Sequence, residues 1–160
     1  MAVLHNRVSN EVLKQQLMQE TFKRITISFY QYFHVENPQE FRDYLYKNLS
    51  EINAFGRIYV AKEGINAQMS VPEENFDAFE KFIRSIESLN DLRLNIAVDD
   101  DGKSFWVLKV KVREKIVADG ITDESFNMSN KGKYVNAQQM NKMLADRNTI
   151  VVDMRNHYEY

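Results

Sequence analysis

Phe55-Gly-Arg-Ile-Tyr-Val-Ala-Lys-Glu-Gly-Ile-Asn-Ala-Gln-Met-Ser-Val71 decides the fold. Phe55 to Lys62 and Ile65 to Val71 read as two strands, Ile65, Ala67 and Met69 of the second facing away from Asn66 and Gln68. Only Glu63-Gly64 separates them, so they form a tight antiparallel hairpin. Its flanks are helical. Upstream, Asn37 can cap a helix, Pro38 fits its first turn and Glu40 completes a capping box, with Phe41, Tyr44, Leu45, Leu49 and Ile52 following at helical spacing. Downstream, Pro72 opens a second helix near 73–87, on which Phe76, Phe79, Phe82, Ile83 and Ile86 make an apolar stripe.

One strand lies outside each helix. In 25–33, Ile25, Ile27, Phe29 and Phe33 alternate with Thr26, Ser28, Tyr30 and Tyr32; in 92–98, Leu92, Leu94, Ile96 and Val98 alternate with Arg93, Asn95 and Ala97. The order β-α-β-β-α-β over 25–98 defines an α+β, ferredoxin-like (acylphosphatase-like) domain. Phe29, Phe41, Leu45, Phe76, Phe79 and Ile83 are its expected core. Asp99, Asp100, Asp101 and Gly102 read as a turn, and 104–115 as an added strand extending the domain to 25–117, with Trp106, Leu108, Val110 and Val112 on one side. Residues 1–24 form an N-terminal helical segment, its helix near 10–21 capped by Ser9 or Asn10. Residues 118–133, with Gly120 and Gly132, read as a connector. From 134 to 160 a second α/β domain begins: Asn136 and Gln139 cap a helix to about Ala145, and Thr149-Ile-Val-Val152 reads as a buried parallel strand. One helix and one strand cannot make a domain, so the expectation is a domain cut off after its first strand.

Composition removes several function classes. The 160 residues hold 21 Lys and Arg against 23 Asp and Glu, a net charge of −2, so charge alone announces no nucleic-acid partner. There is no cysteine, hence no disulfide, thiolate nucleophile or Cys-based metal site. No apolar run approaches the roughly 20 residues of a membrane span, and the first residues lack a signal core. His5, His34 and His157 share no ligand spacing, and three consecutive aspartates are not a spaced calcium loop, so no metal is expected. The hairpin lacks the Gly-rich, Lys-Ser/Thr pattern of a phosphate cradle. Acylphosphatase chemistry needs a Gly- and Arg-bearing anion loop after the first strand, whereas His34-Val-Glu-Asn-Pro38 has neither.

Two features point to RNA. Both helices must cover one sheet face, so Ser28, Tyr30 and Tyr32 point to the other, joined by Arg57, Tyr59, Asn66, Gln68, Arg93 and Asn95. Aromatics on an open sheet can stack bases, although the third strand lacks the aromatic-rich RRM motif. The competing reading is that strand 104–115 or a following domain covers this face. Within 103–115, Lys103, Lys109, Lys111, Arg113 and Lys115 stand against Glu114 alone, and strand alternation gathers four of these cations into a phosphate-contacting stripe. A solvated edge that resists aggregation explains the stripe equally well.

Ile58-Tyr-Val-Ala-Lys-Glu-Gly-Ile-Asn-Ala-Gln68, Asp100-Asp-Gly-Lys-Ser-Phe-Trp-Val-Leu-Lys-Val-Lys-Val-Arg113, Asp153-Met-Arg-Asn-His-Tyr-Glu-Tyr160 and the opening Val3-Leu-His-Asn-Arg7 together resemble the rhodanese-domain tRNA uridine hydroxylases (YceA/TrhO) over the whole chain. The resemblance implies an acylphosphatase-like domain, a rhodanese-like domain and a Cys-rich tail. It implies an oxidoreductase that makes 5-hydroxyuridine at the tRNA wobble position with molecular oxygen, dependent on a cysteine in the rhodanese loop downstream. No other cofactor is identifiable, no membrane is involved, and the implied location is the cytoplasm. Asp153-Met154-Arg155 with Glu159 matches the start of rhodanese domains, so Asp153 and Arg155 carry over as framework residues. The residues assigned to RNA are Tyr30, Tyr32, Tyr59, Arg93, Lys109, Lys111 and Arg113, and no catalytic residue is assigned in this chain. The alternative is an interaction or scaffold domain of a rhodanese-type sulfurtransferase.

Overall fold

The structure is a computed structural model that describes residues 4–98, 101–117, 132–133 and 135–153. The chain divides into two units, Met1–Asp123 and Glu124–Tyr160. The first holds α1 (Asn10–Gln19), β1 (Arg24–Tyr32), α2 (Pro38–Glu51), β2 (Phe55–Ala61), β3 (Gly64–Pro72), α3 (Phe76–Ser85), β4 (Asn95–Ile96) and β5 (Leu108–Val112). The strands form one sheet in the order β4-β1-β3-β2-β5. The first four are antiparallel to their neighbours, as the β-α-β-β-α-β reading requires, and β5 adds to the far edge parallel to β2.

The helices begin where capping chemistry puts them. Asn37 accepts from the backbone N–H of Gln39 and Glu40, with Pro38 in the first turn of α2. Ser9, not Asn10, caps α1 by accepting from Val12 N–H. A short 3-10 turn over Glu73–Asn75 precedes α3 and takes the first residues expected of that helix. α2 and α3 bury Leu45, Leu49, Phe79 and Ile83 against the β-sheet residues Ile27, Phe29, Ile58, Val60, Ile65, Ala67, Met69 and Val71. Phe41 and Phe76 are half-buried at the rim of this cluster.

Five expectations change in detail. The hairpin turn is Lys62-Glu63, one residue earlier than read, and Gly64 already pairs with Ala61. Gly64 has φ +144, and a Cβ there would collide with the Gln31 carbonyl of β1, so this position pairs closely on both sides only as glycine. The fourth strand shrinks from 92–98 to Asn95–Ile96, because Leu92 turns into the core before pairing begins and Ile96 and Val98 are exposed. The 104–115 strand shrinks to Leu108–Val112, since pairing with β2 starts at Gly56↔Leu108. Trp106 therefore leaves the strand: its indole donates to Asn10 Oδ1 at 3.3 Å, and the Lys14 ammonium lies 4.4 Å from its ring centroid, tying α1 to the sheet. The strand expected at 149–152 is not formed. Ile150, Val151 and Val152 are exposed, and no strand among the described residues pairs with them.

In the second unit α4 (Ala137–Leu144) carries the expected capping box, Asn136 and Gln139 each bonding the other's backbone N–H. Asp99, Asp100, Arg155, His157 and residues 118–131 of the connector lie outside the described residues.

The fully buried Phe29 and Phe79 rings meet at a centroid distance of 6.4 Å, joining α3 to β1. Phe79→Ala is expected to destabilise the first unit by about 3–5 kcal/mol through lost burial and a residual cavity, read from the midpoint of urea unfolding. A loss below 1 kcal/mol would contradict this packing.

Candidate nucleic-acid interface

The strand registers turn the alternation of each strand into rows running across the sheet. On the face opposite the helices, Asn95, Ser28, Gln68, Arg57 and Lys109 share one row across all five strands. The next row is Tyr30, Asn66, Tyr59 and Lys111. Neighbours within a row are about 4.8 Å apart and the rows about 6.7 Å apart, as strand geometry dictates. β5 lies beside β2 and does not cover this face, so Lys109 and Lys111 extend the rows.

The two ends of the face are closed by chain. At one end 101–107 passes over it: Gly102 abuts the Arg24 backbone, Phe105 lines a cleft together with Thr26 and Gln68, and Gly56 N–H donates to Val107 O at 3.0 Å. Ser70, on the same side, is consequently buried. At the hairpin end 113–116 folds over. Arg113 N–H donates to Val60 O at 2.8 Å, and its guanidinium lies 5.4 Å from the Tyr59 ring centroid. Ile116 N–H donates to Glu63 Oε1 at 2.8 Å, while Asn66 Nδ2 donates to Ile116 O at 3.0 Å. Between these closures Tyr30 is 52% exposed, and Arg57, Gln68, Lys109, Lys111 and Arg113 are exposed. Tyr59 and Tyr32 are half-buried, with Tyr32 edge-on to Tyr30 at 6.2 Å.

None of Arg57, Lys109, Lys111 and Arg113 forms an ion pair among the described residues; the pairs there involve Arg24, His34, Arg42 and Arg84. Arg57 and Lys109 are direct cross-strand neighbours of like charge, which is unfavourable without an anion. The structure thus brings together Tyr30, Tyr32, Tyr59, Lys109, Lys111 and Arg113. Arg93 is exposed in the irregular segment before β4 and joins no row. Asp153 is exposed in the second unit. Glu63 and Asn66, read as turn and outward polar residues, are a clamp on Ile116. No local pattern marks them, because their partner lies about fifty residues away. Arg57 was legible by period two.

The loop after β1 differs from an anion cradle. Its ≈440 Å³ cleft is lined by Glu36 and Glu40, with His34 Nε2 3.1 Å from Glu36 Oε2 and no arginine among the described residues. Among the described residues no three His, Asp or Glu gather to hold a metal, and no helix is long and apolar enough to cross a membrane.

Sheet order, helix placement and the added fifth strand define an acylphosphatase-like α+β domain with a basic, tyrosine-bearing open face. The model of the UPF0176 acylphosphatase-like domain matches residues 24–116, and the chain belongs to that family. It is 60% identical to a tRNA uridine(34) hydroxylase of Enterobacter sp. (strain 638), covering 100% of this chain and 46% of that relative. It is 56% identical to one of Photorhabdus laumondii (46% of that relative) and 58% identical to one of Pectobacterium atrosepticum (45%), each over the whole of this chain. The chain thus spans about half the length of these curated relatives.

The clamp gives a direct expectation. Glu63→Ala leaves the Ile116 amide without its charged acceptor, a loss of about 1.5–3 kcal/mol in local stability. Amide hydrogen exchange at Ile116 should accelerate at least tenfold while exchange in β3 stays unchanged.

Proposed function

We propose that this chain is the N-terminal, RNA-holding part of a tRNA uridine hydroxylase, an oxidoreductase that converts the wobble uridine to 5-hydroxyuridine with molecular oxygen in the cytoplasm. The observation that carries the RNA-holding role is the pair of rows on the open face, where Arg57, Lys109 and Lys111, without an ion pair among the described residues, lie in register with Tyr30, Tyr59, Asn66 and Gln68. Cations at this spacing meet successive phosphates, and the tyrosine rings offer stacking surfaces to unpaired bases. The relatives' name, tRNA uridine(34) hydroxylase, supports the hydroxylation in this reading. Residues 134–160 open a rhodanese-like domain in this reading, with Asp153 and Arg155 in its framework. The chain has no cysteine to serve as thiolate, so its role is to position tRNA rather than to carry the chemistry.

The test is tRNA binding against salt. Lys109→Glu with Lys111→Glu should weaken binding and reduce the slope of log K against log salt by about 1.4–1.8, the share of two phosphate contacts. Tyr59→Ala should weaken binding by about 1–3 kcal/mol and leave the slope unchanged. Unaltered binding in the double variant would reduce the stripe to a solvated strand face. The chain alone, incubated with tRNA and oxygen or with thiosulfate, should yield neither 5-hydroxyuridine nor a thiolated base by nucleoside mass spectrometry.

A further inference from the structure

A cleft of ≈320 Å³ lies on the open face at its β4 side, away from the β5 lysines. Ser28, Gln68 and Asn95, which share one register row, line it together with Ile96, Ser104 and Phe105. The floor is β1 and β3, one wall is β4, and the other is the 104–105 segment that crosses the sheet.

The lining is chemically specific. Ser28, Gln68, Asn95 and Ser104 line the cleft, and none makes a side-chain hydrogen bond among the described residues. Two carboxamides each present a donor beside an acceptor, and two hydroxyls can serve as either. Phe105 adds an aromatic surface. Among the described residues no Lys, Arg, Asp or Glu lines the cleft. The matching ligand is neutral and planar, with an apolar face and a donor–acceptor edge, which is the chemistry of a nucleobase. Along the same row the cleft continues into Arg57 and then Lys109. A base in the cleft would direct its phosphate toward these cations, and the adjoining nucleotide would meet the row of Tyr30 and Tyr59.

We propose that the cleft between Asn95, Gln68 and Phe105 is a base-binding subsite for one unpaired nucleobase of a single-stranded RNA segment. This rests on the reading of the open face as an RNA surface, and adds that the face selects loop nucleotides over duplex, since a paired base has its Watson–Crick edge occupied and its faces stacked on its neighbours.

The test titrates the 160-residue chain with fluorescent octamers of uridylate, cytidylate and adenylate and with an abasic tetrahydrofuran-phosphate octamer. At least one base-bearing octamer should bind about tenfold more tightly than the abasic one. Gln68→Ala with Asn95→Ala should reduce that preference to the share that stacking on Tyr30 and Tyr59 supplies, leaving abasic binding and the salt slope unchanged. Phe105→Leu, which keeps an apolar side chain at the position, should reduce it. The side-chain amide resonances of Gln68 and Asn95 should shift with the preferred octamer and not with the abasic one. If Lys109→Glu with Lys111→Glu weakens every octamer while the Gln68/Asn95 variant changes none, the subsite fails and the RNA surface stands. If no octamer binds, or if neither set of variants has an effect, both fail.

Discussion

The nine-residue antiparallel register between β1 and β3, from Arg24↔Pro72 to Tyr32↔Gly64, is the constraint on which the rest depends. β3 is the central strand and also pairs with β2, so an error in its register would spread across the sheet. A slip by one residue would exchange its faces. Ile65, Ala67 and Met69, all buried, would turn to solvent, while Asn66 and Gln68 would be driven under α2 and α3. Burying two carboxamides without partners costs more than any exposed charge row could return. The helices thus hold the register through the apolar face, and the register lays out the polar face.

A second constraint fixes the end of the sheet where β1 begins. Arg24 is buried, donates to both Glu20 oxygens at 2.6 and 2.8 Å and to Asn53 O at 3.0 Å, and stacks 4.0 Å from the centroid of Phe55. One guanidinium thereby joins the residue that follows α1, the α2–β2 turn and the first residue of β2. Asn53 itself has φ +57, a conformation asparagine tolerates better than most residues. Removing either partner of such a buried pair leaves an uncompensated charge, so the pair acts chiefly to specify this junction. Gly102 packs against the Arg24 backbone, which lets 101–107 cross the sheet and reach the edge of β2.

The sequence was most legible where one period dominated. Ile25 to Phe33, the Asn37-Pro38 start and the Phe79/Ile83 stripe each point to one element, and the structure forms all three. The reading fell short where an apolar alternation ran beyond its pairing partner. Val98 and Trp106 continue their strand patterns in sequence, yet β1 and β2 offer them no ladder, so the first is exposed and the second turns to α1. On the open face alternation identified Tyr30, Tyr59, Lys109 and Lys111. Their order across the sheet follows from pairings between distant strands, which no local window contains. Glu63, Asn66 and Phe105 gained their places from chain crossings of the same long range.

The fifth strand shows how the fold and the candidate site are coupled. With four strands the rows would end at Arg57 and Tyr59; β5 widens the face by one strand and places Lys109 and Lys111 beside them. That addition creates a new exposed edge, a liability for any sheet. Here Arg42 of α2 donates to Val110 O at 3.0 Å and to the Leu4 carbonyl, and Leu4, His5, Asn6, Val8 and Asn10 line the cleft along that edge with Tyr46. The segment before α1 therefore belongs to the same structural problem as the lysines: a sheet extended to carry charge on one face needs its newly exposed backbone covered from the side.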